Sequence, residues 1–215
     1  MKAAVLYANE DIRFDDYQEP VCDSDSIIVR IKAAGICGSD VPRVLSNASH
    51  HYPNVLGHEF SGEVLETGAN VQDIKIGERV AGVPLIPCMK CADCQRGWFA
   101  LCKSYDFIGS RRQGAFAEYL KLPAVNAVKF DDSVSYEQGA FFEPSTVALH
   151  GLRINNYEGG GHVAVLGGGT IGVFAAQWAK IFGAASVTVF DISDERPFRI
   201  YNHTHYYARL IYQCL

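Results

Sequence analysis

No apolar run in the 215-residue chain reaches the roughly 18 residues that a membrane-crossing helix needs, so a membrane partner is not expected. Cations are too few for nucleic acid to be the main partner. The chain has 19 Lys and Arg against 24 Asp and Glu, a net charge of −5, whereas phosphate backbones are held by clusters of basic residues. The opening MKAAVLYANEDIRF lacks a long apolar stretch and turns acidic at once, so it reads as the first strand of a cytoplasmic protein rather than a secretory leader. Internal repeats and low-complexity tracts are missing too. Cysteine is present but odd in number: Cys22, Cys37, Cys88, Cys91, Cys94, Cys102 and Cys214. Without a leader, an odd set argues against a disulfide framework. Apolar residues make up 48% of the chain, enough to bury a sizeable core.

Residues 1 to about 150 look β-rich. SIIVRIKAAGI (26–36), FSGEVLETG (60–68) and AFAEYLKL (115–122) carry strand-like alternation, and glycines separate them. Residues 135–151 look helical in two pieces interrupted by Pro144. Next come a short apolar strand at 162–167, a helix at 170–183 closed by glycine, and a second buried strand at 186–191. Strand, helix and strand over about 30 residues make a βαβ unit with a parallel sheet. The boundary between the two parts is expected near 150–158. From 196 to 215 there is no Gly, Asp or Glu, four of the eleven tyrosines occur there, and no amphipathic period that would pack on a sheet emerges.

Four cysteines crowd into PCMKCADCQRGWFALC, spaced Cys88-x2-Cys91-x2-Cys94-x7-Cys102. Thiolates suit zinc, and four of them leave no open coordination position, so such a site is structural. An iron–sulfur cluster or four unrelated buried thiols are the alternatives. Gly167-Gly168-Gly169-Thr170-Ile171-Gly172 fits G-x-G-x-x-G between a strand and a helix, the context in which the turn cradles a pyrophosphate at the helix N-terminus. Asp191 ends the second strand, 19 residues after Gly172, where a carboxylate accepts the ribose hydroxyls of NAD and repels the extra phosphate of NADP. Arg196, close by, pulls the other way. A glycine turn that merely packs, with Asp191 solvated, is the alternative.

Cys37, His58 and Glu143 are the right types for a second, open zinc site, each beside glycine or proline at a strand end or turn. From residue types alone, a buried thiol, a hydrogen-bonded imidazole and an exposed carboxylate are the favoured reading. Glu59, adjacent to His58, suits a supporting carboxylate or an alternate ligand. Arg111 and Arg112 lie on a glycine-bounded turn and suit a phosphate or plain solvent.

The segments GICGSD, GHEFSG, the four-cysteine lobe, GAFAEY, FEPSTVALHG and VAVLGGGTIG occur in that order. Together they resemble the zinc-dependent medium-chain dehydrogenase/reductase family, from residue 1 to about 196. The resemblance implies an α+β catalytic domain with a GroES-like β-barrel (1–150), followed by an incomplete α/β Rossmann domain (151–196). The segment 197–215 departs from the family and reads as an aberrant tail. Cys37, His58 and Glu143 then match catalytic zinc ligands, and Glu59 matches the neighbouring glutamate that exchanges with water. Ser39 matches a hydroxyl that passes a proton from the substrate; a helix N-cap is its other reading. The resemblance implies two zinc ions per subunit, NAD as cofactor, and a homodimer or homotetramer. The reaction implied is hydride transfer to NAD from a polyol or polyol phosphate, galactitol 1-phosphate foremost. Sorbitol/L-iditol-type and threonine-type dehydrogenases share the frame and are alternatives. An inactive zinc-binding fragment is the reading from another class.

Overall fold

The computed structural model describes residues 1–193 and the strand 204–208. The chain divides into two compact units, Met1–Glu143 and a second from Pro144 onward.

The first unit is antiparallel β. Its elements are β1 (Lys2–Ala8), β2 (Asp11–Asp16), β3 (Ser26–Gly35), α1 (Asp40–Leu45), β4 (Asn54–Val55), β5 (Glu59–Thr67), β6 (Arg79–Gly82), β7 (Leu85–Ile86), α2 (Ala92–Gln95), β8 (Asp106–Phe107), β9 (Tyr119–Pro123), β10 (Ala127–Phe130) and α3 (Tyr136–Ala140). A five-stranded sheet runs β10-β6-β5-β3-β9, beside a three-stranded sheet β2-β1-β4 and the pair β7-β8. A bridge between Ala3 and Ala117 and the bond from Ala4 N–H to the Phe116 carbonyl join β1 to the segment entering β9. The alternation read in the sequence becomes the core here: Ile27, Val29, Phe60, Val64, Val80, Leu120 and Leu122 bury together, with Ile108 contributed by a loop. The strand expected at 115–122 begins later, at Tyr119, because Ala115 and Phe116 spend their N–H groups on the Gly57 and Leu56 carbonyls. α3 opens with a capping box, the Ser135 hydroxyl accepting from Gln138 N–H and the Gln138 side chain accepting from Ser135 N–H.

The second unit holds α4 (Phe142–Ile154, whose first two residues fall on the other side of the division), β11 (His162–Leu166), α5 (Thr170–Ile181), β12 (Ser186–Asp191) and β13 (Thr204–Ala208). The helical stretch is interrupted at Phe141, not at Pro144 as the sequence suggested. Pro144 is the third residue of α4, within the first turn, where a backbone N–H has no intrahelical acceptor and its loss costs nothing. β11 and β12 pair in parallel, and α5 covers them with Ala176 and Ala179 against Val187 and Val189. Trp178 Nε1–H donates to the carbonyl of Ser145 at 3.1 Å and fixes α4 against α5.

β13 lies parallel beside β12, from Val187 opposite Thr204 to Asp191 opposite Ala208. That strand falls inside the segment in which the sequence offered no packing period. A backbone ladder needs no side-chain alternation, and THYYA is a β-prone run. The rest of the stretch 194–215, including Arg196 and Cys214, lies outside the described residues. The order β11-β12-β13 is that of one half of a doubly wound nucleotide-binding sheet. Among the described residues, no helix is long and apolar enough to cross a membrane.

Candidate functional site

In the first unit, β3 and β5 position the open cluster. Their register slips at Ile28/Val29 and again at Ile31/Ala33, and it ends with Gly35 opposite Glu59. Such bulges bend a strand and re-aim its end. Cys37, two residues past Gly35, thereby meets His58 and Glu59 at the start of β5. One ligand atom from each of Cys37, His58 and Glu59 lies within 4.8 Å of the others. Gly35 makes room, since a Cβ there would collide with the Glu59 carboxylate. Glu143 is not part of this group of three. Its carboxyl is pushed up to about 7, by burial first and then by the charge of Glu59.

Buried acids crowd this cluster. Burial raises Glu59 and Asp40 above the usual carboxylate range, although the Cys37 thiol beside Glu59 and His58 beside Asp40 act in the opposite direction. Burial lowers His58. Its Nδ1 has no hydrogen-bond partner and stands 3.7 Å from Asp40 Oδ1, and both residues are buried. Asp40 Oδ2 accepts from Cys37 N–H at 3.1 Å. Ser39 occupies the residue before α1, but its hydroxyl does not cap the helix; it approaches Cys37 Sγ at 3.3 Å and accepts from Arg43 Nη1 at 2.7 Å. A half-buried thiol beside a buried imidazole and a buried carboxylate, with acids lifted above their usual range, forms a donor set suited to a divalent cation. Asp40 is the member that the sequence did not single out. The only signal for it was its place between Ser39 and a helical run.

The four-cysteine lobe is equally compact. The sulfurs of Cys88, Cys91, Cys94 and Cys102 lie within 4.8 Å of one another, with Cys91 to Cys94 at 3.5 Å and Cys88 to Cys94 at 3.9 Å. Four sulfurs around one zinc stand about 3.8 Å apart. Backbone N–H groups of Lys90 and Cys91 draw the Cys88 thiol down to about 6, and the N–H of Cys94 lowers Cys91. Burial and neighbouring thiols push Cys94 up to about 12. Two thiols ready to ionise beside one that resists are arranged for a cation that deprotonates all of them on binding.

In the second unit, Gly167 has φ +102, and a Cβ on Gly172 would collide with the Gly167 carbonyl. The first glycine makes the turn, and the last lets α5 press on it. Gly169 precedes α5 without a side-chain cap, and Thr170 and Ile171 are its first two residues, so the free N–H groups of that end remain for a ligand. Asp191 is buried at the end of β12, where it accepts from Gly168 N–H at 2.7 Å and from Ser193 N–H at 2.8 Å. Its carboxylate thus ties the turn to the second strand.

The two arginines differ. Arg112 pairs with Asp106 at 2.7 Å. Arg111 is exposed and lies over the Tyr105 ring at 4.4 Å.

Residues 23–132 match the family model for the alcohol dehydrogenase GroES-like domain. The chain belongs to that family. It is 45% identical over 172 residues to galactitol 1-phosphate 5-dehydrogenase of Escherichia coli (strain K12), covering 80% of this chain and 50% of that protein. The crystal structure of galactitol-1-phosphate dehydrogenase from Escherichia coli superposes with a TM-score of 0.87 at 42% identity, covering 91% of this chain and 57% of that one. A zinc-binding dehydrogenase from Sinorhizobium meliloti 1021, solved bound to NADP, gives a TM-score of 0.86 at 36% identity, with coverage of 90% and 56%. The chain spans about half the length of the curated relatives it matches. Its architecture is therefore a GroES-like unit followed by Rossmann-type α/β structure, the fold of zinc-dependent medium-chain dehydrogenases.

Proposed function

We propose that this chain carries the zinc site and the leading part of the nucleotide site of an NAD-linked dehydrogenase acting on a polyol phosphate, of which galactitol 1-phosphate is the best candidate. The observation that carries this reading is the convergence of Cys37, His58 and Glu59 in a chain that also builds a glycine turn on a parallel sheet. Cys37, His58 and a carboxylate would hold the catalytic ion. Glu59 is the carboxylate now beside the other two, and Glu143, lifted to about 7, is the one available to exchange with it. Zinc in such a site supplies Lewis acidity toward a substrate hydroxyl.

The remaining roles belong to the chain. Ser39, exposed beside Cys37, would take the proton released from the substrate. Arg43 donates to Ser39 Oγ, whose own proton is directed at Cys37 Sγ. Gly167, Gly169, Thr170, Ile171 and Gly172 would hold the pyrophosphate of NAD, with Asp191 directed at the ribose. Cys88, Cys91, Cys94 and Cys102 would hold the structural zinc.

The test is NADH formation by the zinc-loaded protein with galactitol 1-phosphate, galactitol, sorbitol and threonine. Preference for galactitol 1-phosphate supports the reading. Preference for sorbitol or threonine would replace the substrate and leave the metal chemistry. No NADH from any of them, in a chain with both zinc ions bound, would favour the inactive zinc-binding fragment.

A further inference from the structure

The loop after the cysteine lobe is pressed onto the open cluster. The Phe107 ring meets the His58 ring edge-on, with centroids 5.5 Å apart. A Cβ on Gly109 or on Gly114 would collide with the Gly57 carbonyl, next to His58. The N–H groups of Arg111 and Arg112 both reach back to the Phe107 carbonyl, at 2.9 and 3.2 Å. The turn bearing Arg111 therefore starts from a residue that touches His58.

Arg111 makes no ion pair among the described residues. Its contacts are the Tyr105 ring and the Tyr105 hydroxyl, to which Nη2 donates at 3.4 Å. The aromatic face holds the guanidinium in place and leaves its charge uncompensated. A second guanidinium comes from α1, where Arg43 bonds the carbonyl and hydroxyl of Ser39 at 2.8 and 2.7 Å. Burial first, and then the charges of Arg111 and Arg43, hold the His50 imidazole below its usual value. The turn bearing Arg111 thus reaches His58 through Phe107, and the Arg43 guanidinium reaches Cys37 through Ser39. Arg112 is paired with Asp106, so its charge is already compensated.

We propose that Arg111, with Arg43, is the subsite that receives the phosphomonoester of a polyol phosphate, while Arg112 takes no part. This deepens the dehydrogenase reading above and rests on it. A dianion there would supply the charge Arg111 lacks, and a guanidinium fork fits it through parallel hydrogen bonds. The pyrophosphate of the nucleotide shares that chemistry, so the test separates the two sources.

The zinc-loaded chain is titrated by calorimetry with inorganic phosphate, galactitol 1-phosphate, galactitol and NAD, as parent and as Arg111→Ala, Arg111→Lys and Arg112→Ala. The parent should bind galactitol 1-phosphate at least about ten-fold more tightly than galactitol. Arg111→Ala should remove about ten-fold of phosphate and galactitol 1-phosphate affinity, and Arg111→Lys should remove less. Arg112→Ala should leave both ligands, and Arg111→Ala should leave NAD, within about two-fold. The proposal falls if the parent ignores phosphate, if Arg111→Ala changes nothing, if Arg112→Ala does equal damage, or if Arg111→Ala weakens NAD while sparing galactitol 1-phosphate. Failure of the dehydrogenase reading has a different signature: no NADH from any substrate, with Arg111-dependent phosphate binding intact.

Discussion

The Nδ1 atom of His58 faces Oδ1 of Asp40 across 3.7 Å, and both residues are buried. Asp40 also accepts from Cys37 N–H and lies 3.5 Å from Arg43 Nη1. One carboxylate thus braces two of the three members of the open cluster. A carboxylate behind a ligating imidazole fixes the ring and strengthens its donor nitrogen, and losing it costs about 10–100-fold in metal affinity. Asp40→Asn should lower zinc affinity at the open site within that range and leave the cysteine lobe filled. Chelator competition followed by metal analysis measures both. Unchanged release of the weaker ion would remove Asp40 from the site.

The two metal sites share no ligand, so they should empty independently. Cys37→Ser should bind about one zinc per chain where the parent binds about two, and its folding should survive. Cys102→Ser should also lose one zinc, but with a marked fall in Tm, because a closed four-cysteine site contributes its binding energy to folding. Loss of both ions from Cys37→Ser would contradict separate sites.

Periodic features were readable from residues alone. The alternation of 26–36 and the glycine turn of 167–172 place β3 and the start of α5 because each rests on local spacing. Ligation was readable only by residue type. Which carboxylate joins Cys37 and His58 depends on two register slips between β3 and β5, and single-strand patterns carry no register. Glu143 was read as the third ligand and Glu59 as a supporting or alternate one, whereas it is Glu59 that lies with Cys37 and His58 in the group of three. Asp40 was hidden for a related reason: its partners lie three residues before it and eighteen after it in the sequence. The break at Pro144 was misplaced because a proline inside a helix and one in its first turn look alike until the helix start is known.

Glu143 gives a pH dependence to the zinc-free protein. Its carboxyl is raised from 4.5 to about 7 in the folded chain, so the folded state holds that proton more tightly than the unfolded one. The stabilisation is fully present below pH 4.5 and is lost as pH rises through about 7. Glu143→Gln cannot ionise. In chelator-treated protein it should therefore show a higher Tm than the parent at pH 8, and the difference should shrink toward pH 4.5. Equal Tm values for parent and variant across that range would show that Glu143 ionises freely in the folded chain.

Asp191 has two tasks that one substitution can separate. Its Oδ2 accepts from Gly168 N–H and its Oδ1 from Ser193 N–H, so it holds the glycine turn before any nucleotide arrives. A carboxylate directed at the ribose would in addition favour NAD over NADP. Asp191→Ala leaves the Gly168 N–H without its buried acceptor, a loss of about 1–3 kcal/mol. The variant should melt below the parent with no nucleotide present. Asp191→Asn keeps a carbonyl oxygen for one N–H and removes the negative charge. It should recover part of the Tm yet still show a lower ratio of NAD to NADP affinity than the parent. Nucleotide titrations beside thermal melts give both quantities. If Asp191→Asn keeps the parent's nucleotide ratio while Asp191→Ala melts early, the residue is a brace for the turn and does not read the ribose. If neither variant shifts Tm, the bond to Gly168 carries no weight in holding the turn.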